Sequence, residues 1–146
     1  MKKKIVYVGL AADIVHEGHI NILKTAAKLG YVIVGLLTDK AIASYKKLPY
    51  LEYNQRKIIL QNIKYVNQVV EQKTLDYVKN LKSFKPNYVV HGDDWKIGIQ
   101  KKTRQRVIKT LKLWGGKLIE PRYTRNISSS KIKNKISSFG VTPQNR

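Results

Sequence analysis

Short, unbroken apolar runs alternate along the whole chain with stretches whose apolar residues recur every three or four positions. That alternation leaves few folds open. The first run, residues 4–10, is β-branched and aromatic and contains Gly9; similar runs occupy 31–37, 66–70, 87–91 and 117–120. Runs this short and continuous read as strands buried on both faces. Helical spacing fills the gaps. Ile20, Leu23 and Ala27 mark a helix over 18–29, with Gly30 as its stop; Ile58, Ile59 and Ile63 mark another over 54–64. Leu75, Val78 and Leu81 mark 74–83, which Pro86 follows, and Val107, Ile108 and Leu111 mark 99–114, which Gly115-Gly116 ends. A serine cap signal opens the last helix, 128–138. The polar, proline-containing residues 40–50 read as a loop.

Five strands alternating with five helices predict a parallel sheet covered on both faces. Right-handed crossovers make a Rossmann-like, doubly wound α/β fold with strand order 3-2-1-4-5 the economical solution. No internal repeat or linker interrupts the pattern. One domain over 1–138 is expected, with a flexible tail at 139–146.

Composition then removes whole classes of chemistry. The chain has no cysteine, which excludes disulfides, thiol catalysis and Cys-based metal centres. No apolar run approaches the ~18–20 residues of a membrane span. The opening lysines lead into a short apolar run, then Asp13 and His16 instead of a small-residue cleavage site, so the run reads as a strand and the expected location is cytoplasmic. Lys and Arg number 29 against 9 acids, a formal charge of +20. Such a balance suits an anionic ligand. It also suits nucleic acid, for which Lys101, Lys102, Arg104 and Arg106 on one helix would be the contact. The basic residues are otherwise spread over every segment, so nucleic acid is the lesser expectation.

In doubly wound sheets, ligands bind beyond the carboxyl ends of the strands. The chemically suggestive residues fall there. After strand one comes His16-Glu17-Gly18-His19 at a helix start, where free N–H groups and the helix dipole favour a phosphate. Two histidines at i, i+3 also read as caps or a metal pair, although metal pairs on helices favour i, i+4. Thr38-Asp39, the Lys46-Lys47 loop and Arg56 follow strand two. After strand four comes His91-Gly92-Asp93-Asp94-Trp95, read either as ribose and base contacts or as a capped turn with a packing indole. After strand five, Ser128, Ser129 and Ser130 open a helix as an anion cradle, or Ser128 alone caps it.

Together, His16-x-Gly18-His19, Gly92-Asp93-Asp94-Trp95, the Arg56 helix and Ile127-Ser128-Ser129-Ser130 resemble the cytidylyltransferases of the nucleotidyltransferase superfamily, from residue 4 to about 136. Glycerol-3-phosphate cytidylyltransferases are similar in size and plan. The runs 12–16, 35–46 and 90–95 look closest to the cytidylyltransferases of phosphonate biosynthesis. Aminoacyl-tRNA synthetases share the histidine signature but carry a different late element.

The resemblance implies transfer of CMP from CTP, bound with Mg²⁺, to a phosphonate acceptor such as 2-aminoethylphosphonate. The alternatives are glycerol 3-phosphate or a hydroxyalkylphosphonate as acceptor. It assigns catalysis to His16, His19 and Lys46, with Lys47 as substitute for the last. It assigns nucleotide or acceptor contacts to Gly9, Leu10, Ala11, Asp13 and Gly18 after strand one, and to Thr38, Asp39 and Arg56 after strand two. His91, Gly92, Asp93, Asp94 and Trp95 follow from strand four; Tyr123, Thr124, Ile127 and the three serines follow from strand five. It also implies a homodimer. The choice of CTP over ATP rests on the resemblance alone. Two positions depart from the family pattern. Arg125-Asn126 replaces Glu-Gly, where Asn can take the left-handed turn, and Asn67 replaces an aspartate tied to the dimer contact.

Overall fold

The computed structural model describes residues 3–122 and 124–138. The expected tail, 139–146, and Tyr123 lie outside the described residues. Five parallel strands form one sheet in the order β3-β2-β1-β4-β5. They are β1 (Ile5–Leu10), β2 (Tyr31–Leu37), β3 (Gln68–Gln72), β4 (Tyr88–Val90) and β5 (Lys117–Ile119). The helices are α1 (Glu17–Leu29), α2 (Asp39–Ala43), α3 (Tyr53–Gln61), α4 (Val78–Phe84), α5 (Lys101–Leu111) and α6 (Ser129–Ser138). The predicted Rossmann-like, doubly wound topology is the one found.

The pleat explains why both faces must be covered. Successive residues of β1 point to opposite sides. Val6 and Val8 pack with Leu23 and Ala26 of α1 on one face; Tyr7 packs with Leu81 of α4 and with Val107 and Leu111 of α5 on the other. Each fully buried Leu contributes about 1.5–3 kcal/mol relative to exposure. The two hydrophobic clusters thus clamp the central strands, whose carboxyl ends Leu10, Leu37 and Val90 emerge along one edge.

Local chemistry moved several boundaries. Residues 40–50 are not loop throughout, because Thr38 Oγ1 accepts from the Ala41 amide at 3.1 Å and starts α2. The helix expected over 74–83 begins only at Val78, since the Asp76 carboxylate accepts from the Val78 amide at 3.1 Å. Leu75 and Tyr77 are thereby left in the preceding loop. β3 lies two residues later than expected because Asn67 brackets the Val32 backbone, donating from its amide and accepting at Oδ1 at 2.8 Å. Asn126 takes the expected left-handed turn, with φ +66°.

Candidate active site

A cavity of about 270 Å³ opens at the carboxyl edge, between the loop after β1, the start of α1, the Lys46 loop, the turn after β4 and the N-terminus of α6. The two histidines at its wall are oriented by the backbone. His16 Nδ1 accepts from the Gly18 amide at 3.0 Å, and His19 Nδ1 accepts from the His16 amide at 3.1 Å. The pair forms a reciprocal cap of α1 with ring centroids 4.0 Å apart. A neutral imidazole whose Nδ1 accepts must carry its proton on Nε2. Each ring therefore has an Nε2–H donor left for a ligand. Burial, with His16 and Lys46 adding to it, pushes the His19 imidazole down to about 3; burial lowers His16 as well. Both are neutral donors at physiological pH. Gly18 is required by this arrangement. A Cβ there would lie 2.8 Å from His16 Cε1 and 3.0 Å from its Nδ1.

The N-terminus of α6 supplies the opposite wall. Ser128, Ser129 and Ser130 all line the cavity. Their roles differ. Ser128 Oγ accepts from the Lys131 amide at 3.0 Å and caps the helix, while Ser129 Oγ donates to the Ile14 carbonyl at 3.0 Å and ties α6 to the loop after β1. Ser130 is exposed. Thr124 accepts from Asn21 of α1 at 3.0 Å, a second tie between the same elements. Lys46 reaches the cavity from the loop after α2, and burial, with nearby Lys133, lowers its ammonium pKa.

Gly9, Leu10, Ala11, His91, Gly92 and Asp94 also line the cavity, as the sequence suggested. Others do not. Trp95 is a core residue, 1% exposed: its indole stacks on His91 at 3.7 Å and donates to Glu120 at 2.7 Å. It holds His91 in place and does not face a ligand. Arg56, expected at acceptor or phosphates, is 0% exposed. It donates to the Leu51, Ala11 and Leu37 carbonyls at 3.0, 2.8 and 2.7 Å and to Asp39 at 2.6 Å. Arg56 and Asp39 therefore join the ends of β1 and β2 to the Lys46 loop from behind. Thr38 caps α2. Asp13, 1% exposed, accepts from the Tyr50 and Leu51 amides at 2.8 and 2.9 Å and pairs with Lys133. Asp93 sits in the turn after β4, with its amide donating to the Pro121 carbonyl at 3.2 Å. Ile127, half-buried, is likewise absent from the lining.

Sequence reasoning missed Tyr45, Leu75, Tyr77 and Gln100 in the lining. It also missed Glu120, which receives Trp95 and a two-point contact from Arg104 at 2.8 and 2.9 Å. Arg104 is thus engaged within the fold, and Arg106 pairs with Asp76 while staying exposed, as Lys101 and Lys102 are. Among the described residues no group of three His, Cys, Asp or Glu side chains is placed to hold a metal. Among the described residues, Asp94 is the one carboxylate lining the cavity. No helix among the described residues is long and apolar enough to cross a membrane.

Residues 7–135 match the family described as cytidylyltransferase-like, a span that contains the whole site. The chain belongs to that family. It is a nucleotidyltransferase of the cytidylyltransferase kind. The enzyme is 34% identical over 141 residues to the glycerol-3-phosphate cytidylyltransferase of Bacillus subtilis (strain 168), covering 95% of this chain and 100% of that protein. It is 30% identical over 128 residues to the ethanolamine-phosphate cytidylyltransferase of Mus musculus, covering 85% of this chain but 30% of that one. Among solved structures, the lipopolysaccharide core biosynthesis protein from Thermoplasma volcanium GSS1 superposes with a TM-score of 0.71 at 23% identity, over 84% of this chain and 100% of that chain, a likeness of fold.

Proposed function

We propose that this enzyme transfers CMP from CTP to a small acceptor ending in a phosphoryl dianion, with glycerol 3-phosphate the acceptor its relatives favour. One observation carries the reading. Two neutral imidazoles with free Nε2–H groups, the Lys46 ammonium and the N-terminus of α6 converge on a single cavity. That set suits a triphosphate whose α-phosphorus gains charge in the transition state.

An acceptor oxygen attacks the α-phosphorus in line. The bond to the α,β-bridging oxygen breaks, and its electron pair leaves with pyrophosphate. A phosphoryl group with a second pKa near ~6 is largely dianionic at neutral pH, so no side-chain base is needed. Catalysis is then positioning and charge stabilisation. His16 and His19 donate to α-phosphate oxygens, Lys46 neutralises the α-phosphate and the incoming oxygen, and the amides at Ser128–Ser130 with the Ser128 and Ser130 hydroxyls hold the leaving pyrophosphate. Gly92 and Asp94 border the nucleoside. Mg²⁺, arriving with the nucleotide, would shield triphosphate charge, with Asp94 the carboxylate nearest to hand.

A second acceptor reading, 2-aminoethylphosphonate, is favoured by the likeness of residues 12–16, 35–46 and 90–95 to the phosphonate-pathway enzymes. Homodimer formation is part of the same proposal, and sedimentation velocity tests it. To test the activity, the enzyme is incubated with CTP or ATP, Mg²⁺ and each acceptor, and followed by phosphorus NMR. We expect inorganic pyrophosphate and paired anhydride resonances with CTP and glycerol 3-phosphate. Product from 2-aminoethylphosphonate alone would move the assignment to the phosphonate. Unchanged CTP with every acceptor overturns the proposal.

A further inference from the structure

Asp13 is a buried carboxylate at which three parts of the site meet. It follows Ala12, whose backbone is left-handed at φ +50°, a conformation that non-glycine residues adopt only when their surroundings enforce it. The turn aims the Asp13 carboxylate inward, where it is 1% exposed. Its oxygens accept the amides of Tyr50 and Leu51, only four and five residues beyond Lys46. From the other side comes Lys133 of α6. Its ammonium pairs with Asp13 Oδ2 and lies 4.8 Å from the centre of the Tyr50 ring. Lys133 stands one helical turn after Ser129, which is itself bonded to Ile14 next to Asp13. Lys46 and Ser130 line both the main cavity and a second one of about 270 Å³, whose far wall includes Lys47, Tyr50 and Lys133.

We infer that Lys133 is a positioning residue for Lys46: by clamping Asp13 between α6 and the 46–51 loop, it sets where the Lys46 ammonium stands relative to the α6 phosphate cradle. The physical reason lies in the carboxylate. A buried charge must be paired and hydrogen-bonded. Two neutral amides satisfy Asp13 only in part, and Lys133 supplies the charge. Without it the carboxylate draws in water or a proton, and the loop it anchors loses a fixed partner. The triphosphate would still meet the histidines and the α6 amides. The loss would fall on the step in which Lys46 must be in register. The inference rests on the cytidylyl-transfer reading for what Lys46 does, but not for the clamp itself.

The test is a double-mutant cycle with Lys46→Met and Lys133→Met, read by steady-state kinetics and by amide hydrogen exchange. Lys133→Met is expected to lower kcat about tenfold or more, the scale of a lost charge-assisted contact, with a much smaller change in KM for CTP. Lys133→Arg should restore most of that loss. In the Lys46→Met background, Lys133→Met should add little, because its effect passes through Lys46. Exchange at the Tyr50 and Leu51 amides should quicken in Lys133→Met without any substrate present. Multiplicative kinetic effects, or unchanged exchange at those two amides, would overturn the inference. If Lys133→Met does not fold, Lys133→Gln, which keeps a donor without charge, takes its place in the same cycle. A wild-type enzyme inactive with CTP, combined with faster exchange in the variant, would put the failure in the functional reading and leave the clamp standing.

Discussion

Replacing Arg56 by Met separates a structural arginine from a ligand-binding one. Arg56 is fully buried and makes four hydrogen bonds, three to the carbonyls of Ala11, Leu37 and Leu51 and one to Asp39. The first two carbonyls terminate β1 and β2 at the sheet edge, and the third belongs to the loop carrying Lys46. Methionine fills most of the volume but satisfies none of them. Breaking a buried ion pair by removing one partner costs about 3–5 kcal/mol. The Asp39 side chain is 34% exposed and partly rehydrates, so the stranded carbonyls carry most of that cost. For a chain of this length, about 2–4 °C is lost per kcal/mol, which gives a drop in Tm of about 6–20 °C. Thermal unfolding by circular dichroism reads it, and urea unfolding at 25 °C checks the free energy. CTP affinity, measured well below the variant's Tm, should fall by less than tenfold, since no guanidinium nitrogen is free to meet a phosphate. Arg56→Lys should fall between, because one ammonium cannot span the carbonyls and Asp39 together. A Tm within about 3 °C of wild type together with a large loss of CTP affinity would refute this reasoning and return Arg56 to the ligand.

Other outcomes follow from the same geometry. His16→Ala removes a transition-state donor and should cost about 10²–10³ in kcat, while loss of the cap costs about 1 kcal/mol of stability by chemical denaturation. Gly18→Ala favours the helix by up to about 1 kcal/mol, yet its Cβ would press on His16 at 2.8 Å, so activity should fall while Tm holds. Stability should depend on pH through His19. Its folded pKa, about 3, lies below the ordinary imidazole value of 6.5, so between those values the unfolded chain binds more protons. The His19 contribution is complete above pH 6.5 and declines as pH falls towards 3, by about 1.4 kcal/mol per unit at most. His16 adds to this in the same direction. His19→Asn should flatten the slope of unfolding free energy between pH 6.5 and 5; an unchanged slope would show that His19 is not buried as a neutral ring.

The sheet was legible because its inner strands β1, β2 and β4 are buried on both faces, and runs such as 31–37 have no polar interruption. The helix starts were less so. Asp76 and Thr38 each bond to an amide two or three residues on, and such bonds shift a helix by a turn without altering its apolar period. Within the site, His16-Glu17-Gly18-His19 was readable because both rings and the glycine act within one turn. Arg56 and Trp95 were not. Sequence placed them beside the site, but whether a side chain there faces the ligand or the fold depends on distant partners, Ala11 and Leu37 for one, Glu120 for the other. Leu75 and Tyr77 entered the cavity only because α4 starts late. Lys133 had a faint signal, its four-residue spacing from Ser129, with nothing nearby in sequence to reveal Asp13 across the fold.

A structure of the enzyme with CTP bound tests the central claim most directly. The triphosphate should lie between the His16 and His19 rings and the first turn of α6, with the Lys46 ammonium at the α-phosphate and the cytidine near Gly92 and Asp94. Nucleotide lodged in the cavity beyond Lys133, or phosphates turned away from both imidazoles, would contradict it.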